Sequence, residues 1–136
     1  MPNALFPHPS EVALVINPTA GRGEAGKRVR EIAQRLRQYG LMQPTWHYTQ
    51  GRGDGERLAR AAVEAGAKLV VAVGGDGTLH EVMNGVLGSE ATLGLIPFGT
   101  GNDFARALGL FGDLEMACRA LTQGQTKRVD VGTIEG

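Results

Sequence analysis

Cysteine is almost absent from this chain of 136 residues, which contains Cys118 alone. A single thiol cannot form an intrachain disulfide, and no charged-then-apolar leader with a cleavage site opens the sequence. We therefore expect a reducing, cytoplasmic setting. Cys118 itself lies on the apolar stripe of a predicted helix, where core packing is its expected role.

An excess of charge is lacking as well, since 14 Lys and Arg residues balance 14 Asp and Glu residues. This balance argues against a nucleic-acid partner and against general attraction to an anionic surface. Long apolar runs are also missing. The longest span about five residues, whereas a transmembrane helix needs roughly 20, so the sequence predicts no membrane-spanning segment.

Several catalytic signatures are absent from the sequence. It has no G-x-S-x-G element of a hydrolase and no G-x-x-x-x-G-K-[ST] element of a Walker-type phosphate loop. The three histidines, His8, His47 and His80, are too scattered to form a zinc site with the single cysteine. These absences exclude the corresponding hydrolase, P-loop and zinc-site classes.

Short apolar strands alternate with amphipathic helices along the chain, a pattern typical of a parallel α/β sheet. We predict a three-layer α/β/α domain over residues 12–136 with about five strands, after a loose leader at residues 1–11. The predicted strands cover residues 12–16, 45–49, 69–73, 93–98 and 127–134, and the second has the polar composition of an edge strand. The predicted helices cover residues 24–39, 56–65, 78–87, 104–108 and 113–122. The chain stops after its last strand without a capped end, which we interpret as a domain cut from a longer protein.

The centre of this organisation is the buried strand at residues 69–73 and the glycine turn that follows it. Gly74, Gly75 and Gly77 surround Asp76, so we expect positive φ angles and a close approach of ligand to backbone. Thr78 and Glu81 have the spacing of a capping box. Strand, turn and helix N-terminus together predict a phosphate site.

Apolar periodicity predicts the inward faces of the helices. In the helix at residues 24–39 this face carries Val29, Ile32, Ala33 and Leu36. In the helix at residues 56–65 it carries Leu58, Ala61, Ala62 and Ala65. In the helix after the central turn it carries Leu79, Val82, Met83, Val86 and Leu87.

Two other strand ends carry comparable turns. The first strand runs into Asn17-Pro18-Thr19-Ala20-Gly21, and the fourth runs into Gly99-Thr100-Gly101-Asn102-Asp103. In a parallel sheet all strand carboxyl ends lie along one edge, so we expect the three turns to converge.

The first turn also contains a dinucleotide-like pattern. Gly21, Gly23 and Gly26 satisfy G-x-G-x-x-G between a strand and a helix. The first glycine lies four residues after Asn17, however, and no acidic residue ends the second strand to bind a ribose. We therefore interpret the pattern as a structural turn rather than as a dehydrogenase fingerprint.

The first helix also has a basic face, which consists of Lys27, Arg28, Arg30, Arg35 and Arg37. Such a face is either solvated or able to rest on anionic lipid head groups. The sequence leaves both interpretations open.

The three turns, in this order and spacing, resemble the catalytic domain of the diacylglycerol-kinase-like lipid kinases, which include sphingosine kinases and bacterial lipid kinases. The resemblance covers nearly the whole chain from Val12 onward. The G-G-D-G-T element alone is shared with NAD kinases and phosphofructokinases, so the third turn is what favours the lipid branch.

The resemblance implies an ATP site and a Mg²⁺ ion. It assigns nucleotide contacts to Asn17, Pro18, Thr19, Ala20, Gly21, Thr49, Gly74, Gly75, Asp76, Gly77, Thr78, Leu79, His80, Glu81, Thr100, Gly101 and Asn102. Asp76 would be the catalytic residue and would face the phosphates through Mg²⁺.

The implied reaction is transfer of the γ-phosphoryl group of ATP to the hydroxyl of a diacylglycerol-like lipid at a membrane surface, with the protein cytoplasmic or peripheral to the membrane. Members of the family carry a second, mostly β domain that this chain lacks, so we expect the chain to be inactive alone. An NAD-kinase-like enzyme and a non-catalytic nucleotide-binding module are the alternatives. Whether the protein forms a homodimer stays open.

Overall fold

A computed structural model describes residues 11–41, 43–98 and 114–123 of the chain. In these ranges the backbone forms four strands, which are β1 (Val12–Ile16), β2 (Thr45–Tyr48), β3 (Leu69–Gly74) and β4 (Thr92–Pro97). Five helices accompany them, which are α1 (Glu24–Lys27), α2 (Val29–Gln38), α3 (Asp54–Glu64), α4 (Asp76–Val86) and α5 (Leu114–Gln123). The four strands and their order along the chain agree with the sequence-based prediction.

The strands form one parallel sheet in the order β2-β1-β3-β4. Strand β2 lies at one edge, as its polar composition predicts. The chain moves from β1 to one side to form β2, then crosses back and adds β3 and β4 on the other side. The connection that leaves β1 and the connection that leaves β3 therefore run in opposite directions along the sheet. The position between the carboxyl ends of these two adjacent strands is the topological switch point.

Residues of β1 and β3 point alternately to the two faces of the sheet and bury both of them. The first face packs against helices α2 and α5 through Leu14, Ile16, Val71, Val73, Ile32, Leu36, Ala117 and Cys118. The second face packs against helices α3 and α4 through Ala13, Val15, Val70, Ala72, Ala59, Ala62, Leu79, Val82 and Val86. Helices on both faces confirm the predicted three-layer α/β/α fold, and the buried Cys118 confirms its predicted core position.

The distribution of helices follows from the right-handed rule for parallel crossovers. The β1-to-β2 connection places α1 and α2 over the first face. The β2-to-β3 and β3-to-β4 connections run in the opposite direction, so α3 and α4 lie over the second face. The carboxyl end of each strand consequently leads to a turn on the same edge of the sheet.

The helix predicted at residues 24–39 is instead two helices, which meet at Arg28. The first turn holds α1 in place, because Ala25 N donates to Ala20 O at 3.1 Å and Gly26 N donates to Pro18 O at 3.0 Å. Helix α2 then starts anew at Val29. The apolar residues at 24–39 follow one helical period, which predicted one continuous helix. This period carries no information about hydrogen bonds between the helix and the preceding turn.

Two predicted inward faces were partly wrong. Helix α3 starts at Asp54 and buries Ala59 and Ala62, whereas Ala61 and Ala65 are exposed. Leu58 and Val63 pack against the same core while partly buried, so the inward face of α3 includes Leu58 as predicted. Leu87, which was also predicted to face inward, is the C-cap residue of α4 and is 54% exposed.

Four predicted features lie outside the described residues: the strand at 127–134, the helix at 104–108, the third glycine turn and residues 1–10 of the leader. The last residue of the leader, Glu11, is described and is buried. Within the part that is described, no helix combines the length and the apolar character needed to cross a bilayer.

Helices α3 and α4 pack closely because α4 contains Gly85. A Cβ atom at this position would lie 2.5 Å from Glu56 O and 2.7 Å from the Ala59 Cβ. The first of these atoms belongs to the backbone of α3, which cannot move as a side chain can. The absence of a side chain at Gly85 therefore allows α3 and α4 to approach each other closely.

We expect Gly85→Ala to lower the free energy of unfolding by about 1–3 kcal/mol, the usual cost of overpacking a close contact. Gly77→Ala on the same helix is a matched control, because its Cβ would meet no atom within 4 Å. Urea unfolding of both variants checks this. Equal stability of the two variants would contradict the proposed packing of α3 against α4.

Candidate active site at the strand ends

The carboxyl ends of the four strands are joined by backbone hydrogen bonds beyond the regular ladder. Thr49 N donates to Ile16 O at 2.9 Å, Asn17 N donates to Val73 O at 3.0 Å, and Phe98 N donates to Gly74 O at 2.9 Å. These bonds bring the Asn17 turn, Thr49 and the glycine turn to one edge of the sheet, as predicted. Thr100, Gly101 and Asn102 of the third turn lie outside the described residues.

The turn after β1 is organised by the side chain of Asn17. Its Oδ1 atom accepts hydrogen bonds from Thr19 N at 3.2 Å and from Thr19 Oγ1 at 2.8 Å. The carbonyl oxygen of Asn17 also accepts from Ala20 N at 3.1 Å. An asparagine that bonds the backbone two residues later forms a compact turn, and Pro18 prevents the strand from continuing through it.

Three successive residues of this turn adopt left-handed backbone angles, with φ values of 63° at Gly21, 60° at Arg22 and 88° at Gly23. Arg22 is the single non-glycine residue with positive φ in the described chain. Such a conformation costs about 1–3 kcal/mol and persists where the surroundings impose it. Strain of this kind is concentrated at ligand-binding turns.

The remaining glycine of the dinucleotide-like pattern serves packing. A Cβ at Gly26 would lie 2.8 Å from Pro18 O, so α1 reaches the turn because this position has no side chain. The pattern Gly21, Gly23 and Gly26 thus shapes the first turn, in agreement with its interpretation as a structural feature.

The turn after β3 owes its shape to close contact rather than to positive φ. Gly74, Gly75 and Gly77 do not adopt left-handed angles, and Gly75 is extended with φ −95° and ψ −164°, so the predicted positive φ values were wrong. A Cβ at Gly74 would lie 2.6 Å from the buried Thr78 Oγ1. Gly74 lets the first turn of α4 fold back onto the strand that precedes it.

The N-terminus of α4 lies directly at the end of β3. Leu79 N donates to Gly75 O at 3.0 Å, so the N–H groups of Asp76, Gly77 and Thr78 precede the first regular helical bond. Asp76 is exposed at the first helical position, where a negative charge also interacts favourably with the helix dipole. This arrangement directs several backbone N–H groups towards the switch point.

The predicted capping box does not form. Thr78 lies inside α4 rather than at its N-cap, which is Gly75 and has no side-chain cap bond. Glu81 instead accepts hydrogen bonds from Gly53 N at 3.1 Å and Gly55 N at 2.9 Å, at the start of α3. The spacing of Thr78 and Glu81 matches a capping box. In the folded protein, however, the Glu81 carboxylate binds the start of helix α3 instead of the start of its own helix, α4.

The other predicted residues of α4 differ in what their side chains can reach. Leu79 is 3% exposed in the second-face core, so it can offer only its backbone to a ligand. His80 is exposed, and its Nε2 atom lies 3.3 Å from Asn84 Nδ2 on the next turn.

Sequence reasoning missed Asp54, which orders the loop after β2. Its Oδ2 atom accepts from Gln50 N at 2.7 Å and from Gly51 N at 3.0 Å. The bond from Gln50 N is the main cause of a lowered pKa of Asp54, followed by the bond from Arg57. An aspartate just after a glycine-rich loop, at a helix start, is the signal that could have identified it.

A second missed feature connects α2 to the end of β4. The guanidinium of Arg28 lies 5.9 Å from the centroid of the Phe98 ring, within the range of a cation–π contact. Glu31 accepts from Arg28 Nε at 2.9 Å, which is the main cause of a lowered pKa of Glu31 and a raised pKa of Arg28. No sequence pattern links Arg28 with Phe98, because 70 positions separate them along the chain.

The donor set at this edge fits Mg²⁺ in one particular manner. Within the described ranges there is no group of three acidic, histidine or cysteine side chains that could hold a metal ion. Asp76 offers a carboxylate at the first position of α4, beside backbone N–H groups. Mg²⁺ is commonly bound by one or two carboxylates together with substrate phosphates, so Asp76 fits an ion that arrives with a nucleotide.

Comparison with known proteins shows which family the chain is similar to. The profile of the "Diacylglycerol kinase catalytic domain" family matches residues 11–134. The chain is 39% identical to a diacylglycerol kinase of Bacillus subtilis, over 90% of this chain and 41% of that protein. It is 40% identical to a "Probable lipid kinase YegS-like" of Chromohalobacter salexigens, over 93% of this chain and 41% of that protein.

The fold is similar to that of a solved structure. A diacylglycerol kinase from Bacillus anthracis superposes with a TM-score of 0.74 at 30% sequence identity, over 85% of this chain and 43% of that one. The chain therefore spans about two fifths of the length of these relatives. With a parallel sheet, an aspartate-bearing glycine turn at its switch point and a profile match over nearly every residue, the chain belongs to the diacylglycerol kinase catalytic-domain family, a family of kinases.

Proposed function

We propose that this chain is the nucleotide-binding part of an ATP-dependent lipid kinase, which transfers the γ-phosphoryl group to the hydroxyl of a diacylglycerol-like lipid. The observation that carries the proposal is the junction of β1 and β3, where Asn17 N bonds to Val73 O at 3.0 Å. This bond places the Asn17 turn beside the Gly75–Asp76 turn at the switch point, where α/β sheets bind their ligands.

The nucleotide phosphates would lie against backbone rather than against basic side chains. The N-terminus of α4 supplies N–H groups at Asp76, Gly77 and Thr78, and the helix dipole adds a partial positive charge. Residues 17–21 would face the nucleotide from the end of β1, and Thr49 from the end of β2. The third turn, with Thr100, Gly101 and Asn102, follows β4 and completes the proposed set.

Asp76 would hold Mg²⁺ at the phosphates. An ion bound there would neutralise charge that develops on the transferred phosphoryl group and on the leaving diphosphate. Asp76 is exposed at the first position of α4, so its carboxylate is accessible to an ion from the direction of the switch point. Its role would be to position the ion and to balance charge.

The lipid hydroxyl and the group that accepts its proton would be bound by a part of the protein beyond these residues. This chain spans about two fifths of its relatives, and the resemblance places a second domain after it. Because a diacylglycerol-like substrate resides in a bilayer, the reaction would take place at a membrane surface, on its cytoplasmic side. An NAD-kinase-like activity and a purely nucleotide-binding role are the outcomes against which this proposal is tested.

Nucleotide choice is the first test. The chain should bind ATP or ADP with Mg²⁺ weakly and should show no preference for NAD, because the proposed reaction uses ATP as the phosphoryl donor. Isothermal titration of the purified chain with each ligand measures this. Tighter binding of NAD than of ATP would favour the NAD-kinase interpretation, and no binding of either ligand would overturn the proposal.

Asp76→Asn distinguishes a catalytic role of Asp76 from a role in the structure of its loop, because it removes one charge at nearly constant volume. Stability should change by less than about 1 kcal/mol, since the side chain is exposed. Turnover of the full-length protein on diacylglycerol should fall by a factor of about 100 or more, as expected when charge stabilisation of the transition state is lost. Melting temperature and radiolabelled phosphate transfer should be measured on one preparation.

Unchanged turnover in Asp76→Asn would remove this residue from the catalytic role. A lowered melting temperature with normal turnover of the folded fraction would assign Asp76 to loop structure alone.

Gly75→Ala tests the close approach of phosphate to the backbone. The added Cβ would lie 3.3 Å from Phe98 O and meet no positive φ angle, so the fold should tolerate it. It would stand beside the proposed phosphates, and we expect the Kd for MgADP to rise about 10-fold, or roughly 1.4 kcal/mol. Gly74→Ala is the contrasting variant, because its Cβ would collide with buried Thr78 and lower stability instead. Unaltered nucleotide affinity in a folded Gly75→Ala protein would place the phosphates elsewhere.

A further inference from the structure

The loop between β2 and α3, residues 49–53, is tied to α4 by the side chain of Glu81. Glu81, in the second turn of α4, accepts a hydrogen bond at each carboxylate oxygen. Gly53 N donates to Oε2 at 3.1 Å, and Gly55 N donates to Oε1 at 2.9 Å. The carboxylate thus connects the helix that starts at the glycine turn with the loop that starts at Thr49.

Glu81 performs the capping that α3 does not provide for itself. The N-cap of α3 is Gly53, which has a left-handed φ of 88° and no side chain with which to accept a hydrogen bond. Carboxylates are strong acceptors for the orphan N–H groups of a helix start, and the helix dipole strengthens the interaction. Glu81 supplies this acceptor from a neighbouring helix.

The space around Gly55 fits the Glu81 side chain closely. A Cβ atom at Gly55 would lie 2.8 Å from both the Cβ and the Oε1 of Glu81. Gly55 itself is buried. The contact therefore depends on a glycine in α3 as well as on the carboxylate in α4.

The other end of the loop is held independently. Asp54 Oδ2 accepts from Gln50 N and Gly51 N, and Thr49 N donates to Ile16 O of β1. Two carboxylates and one carbonyl group thus bind backbone N–H groups along the loop. Of these three acceptors, only Glu81 belongs to the helix that bears Asp76.

We infer that Glu81 is a positioning residue, which holds the loop after β2, and with it Thr49, in register with the glycine turn for nucleotide binding. This inference rests on the proposed function, since it assumes that a nucleotide occupies the strand ends. Both oxygens of Glu81 already accept backbone hydrogen bonds, so the residue acts through the loop. It differs in this respect from the direct nucleotide contact that the family resemblance implies for Glu81.

The test is Glu81→Gln, which keeps one oxygen acceptor and places an NH₂ donor against a backbone N–H. One of the two bonds is then lost. We expect the Kd of the chain for MgADP to rise about 5- to 20-fold. This factor is what the loss of one helix-capping hydrogen bond would cause if its whole free energy were lost from binding. Amide hydrogen exchange at Gly53 and Gly55 in the nucleotide-free chain should accelerate.

Glu56→Gln is the matched control. Glu56 is also a glutamate at this end of α3, but its carboxylate pairs with Arg60 on the same helix at 3.1 Å. Exposed pairs of this kind contribute little to stability. This variant should leave both the Kd for MgADP and the exchange of Gly53 and Gly55 unchanged.

The outcomes separate the inference from the proposed function. Failure of the wild-type chain to bind MgADP would overturn the proposed function and this inference with it. Wild-type binding with equal affinity in Glu81→Gln would overturn the positioning role alone. Weaker binding without faster exchange at Gly53 and Gly55 would also overturn it, since Glu81 would then contact the nucleotide directly. If Glu81→Gln does not fold, Glu81→Asp, which keeps the charge but is too short to reach both N–H groups, serves for the same two measurements.

Discussion

The parallel pairing of β1 with β3 is the interaction on which the rest of the structure depends. The pairing runs from Val12 opposite Leu69 to Ile16 opposite Val73, and the bond from Asn17 N to Val73 O continues it into the first turn. Because the chain leaves these two strands in opposite directions, the helices that follow them lie on opposite faces of the sheet. The proposed nucleotide site lies between the carboxyl ends of these strands.

Glycine positions where the chain approaches itself closely give the site its rigidity. In each case a Cβ atom would lie within 3 Å of a neighbouring atom. These contacts are Gly26 with Pro18, Gly74 with Thr78, Gly55 with Glu81 and Gly85 with Glu56. Two of them shape the turns after β1 and β3, and two hold α3 against α4. Close contact at these glycines therefore helps to determine where the turns and helices lie.

The carboxylates near the strand ends have different roles that their spacing in the sequence does not distinguish. Asp54 and Glu81 bind backbone N–H groups of the loop after β2. Asp76 is exposed at the start of α4, beside the switch point. The hydrogen bonds of Asp54 and Glu81 contribute to the form of the site, whereas the exposure of Asp76 makes its carboxylate accessible to a metal ion and phosphates. This difference supports Asp76 as the metal-binding residue of the proposed kinase.

The sequence by itself determined the four described strands, the three-layer class and the turn at Asp76, because buried parallel strands are short apolar runs and glycine turns interrupt them visibly. It also predicted that the turns after β1 and β3 meet, since parallel strands share one edge for their carboxyl ends. Only the tertiary structure decided that Glu81 caps α3, that Arg28 contacts Phe98, and which face of α3 is buried. These features join residues distant along the chain, and local periodicity carries no information about distances between separate elements.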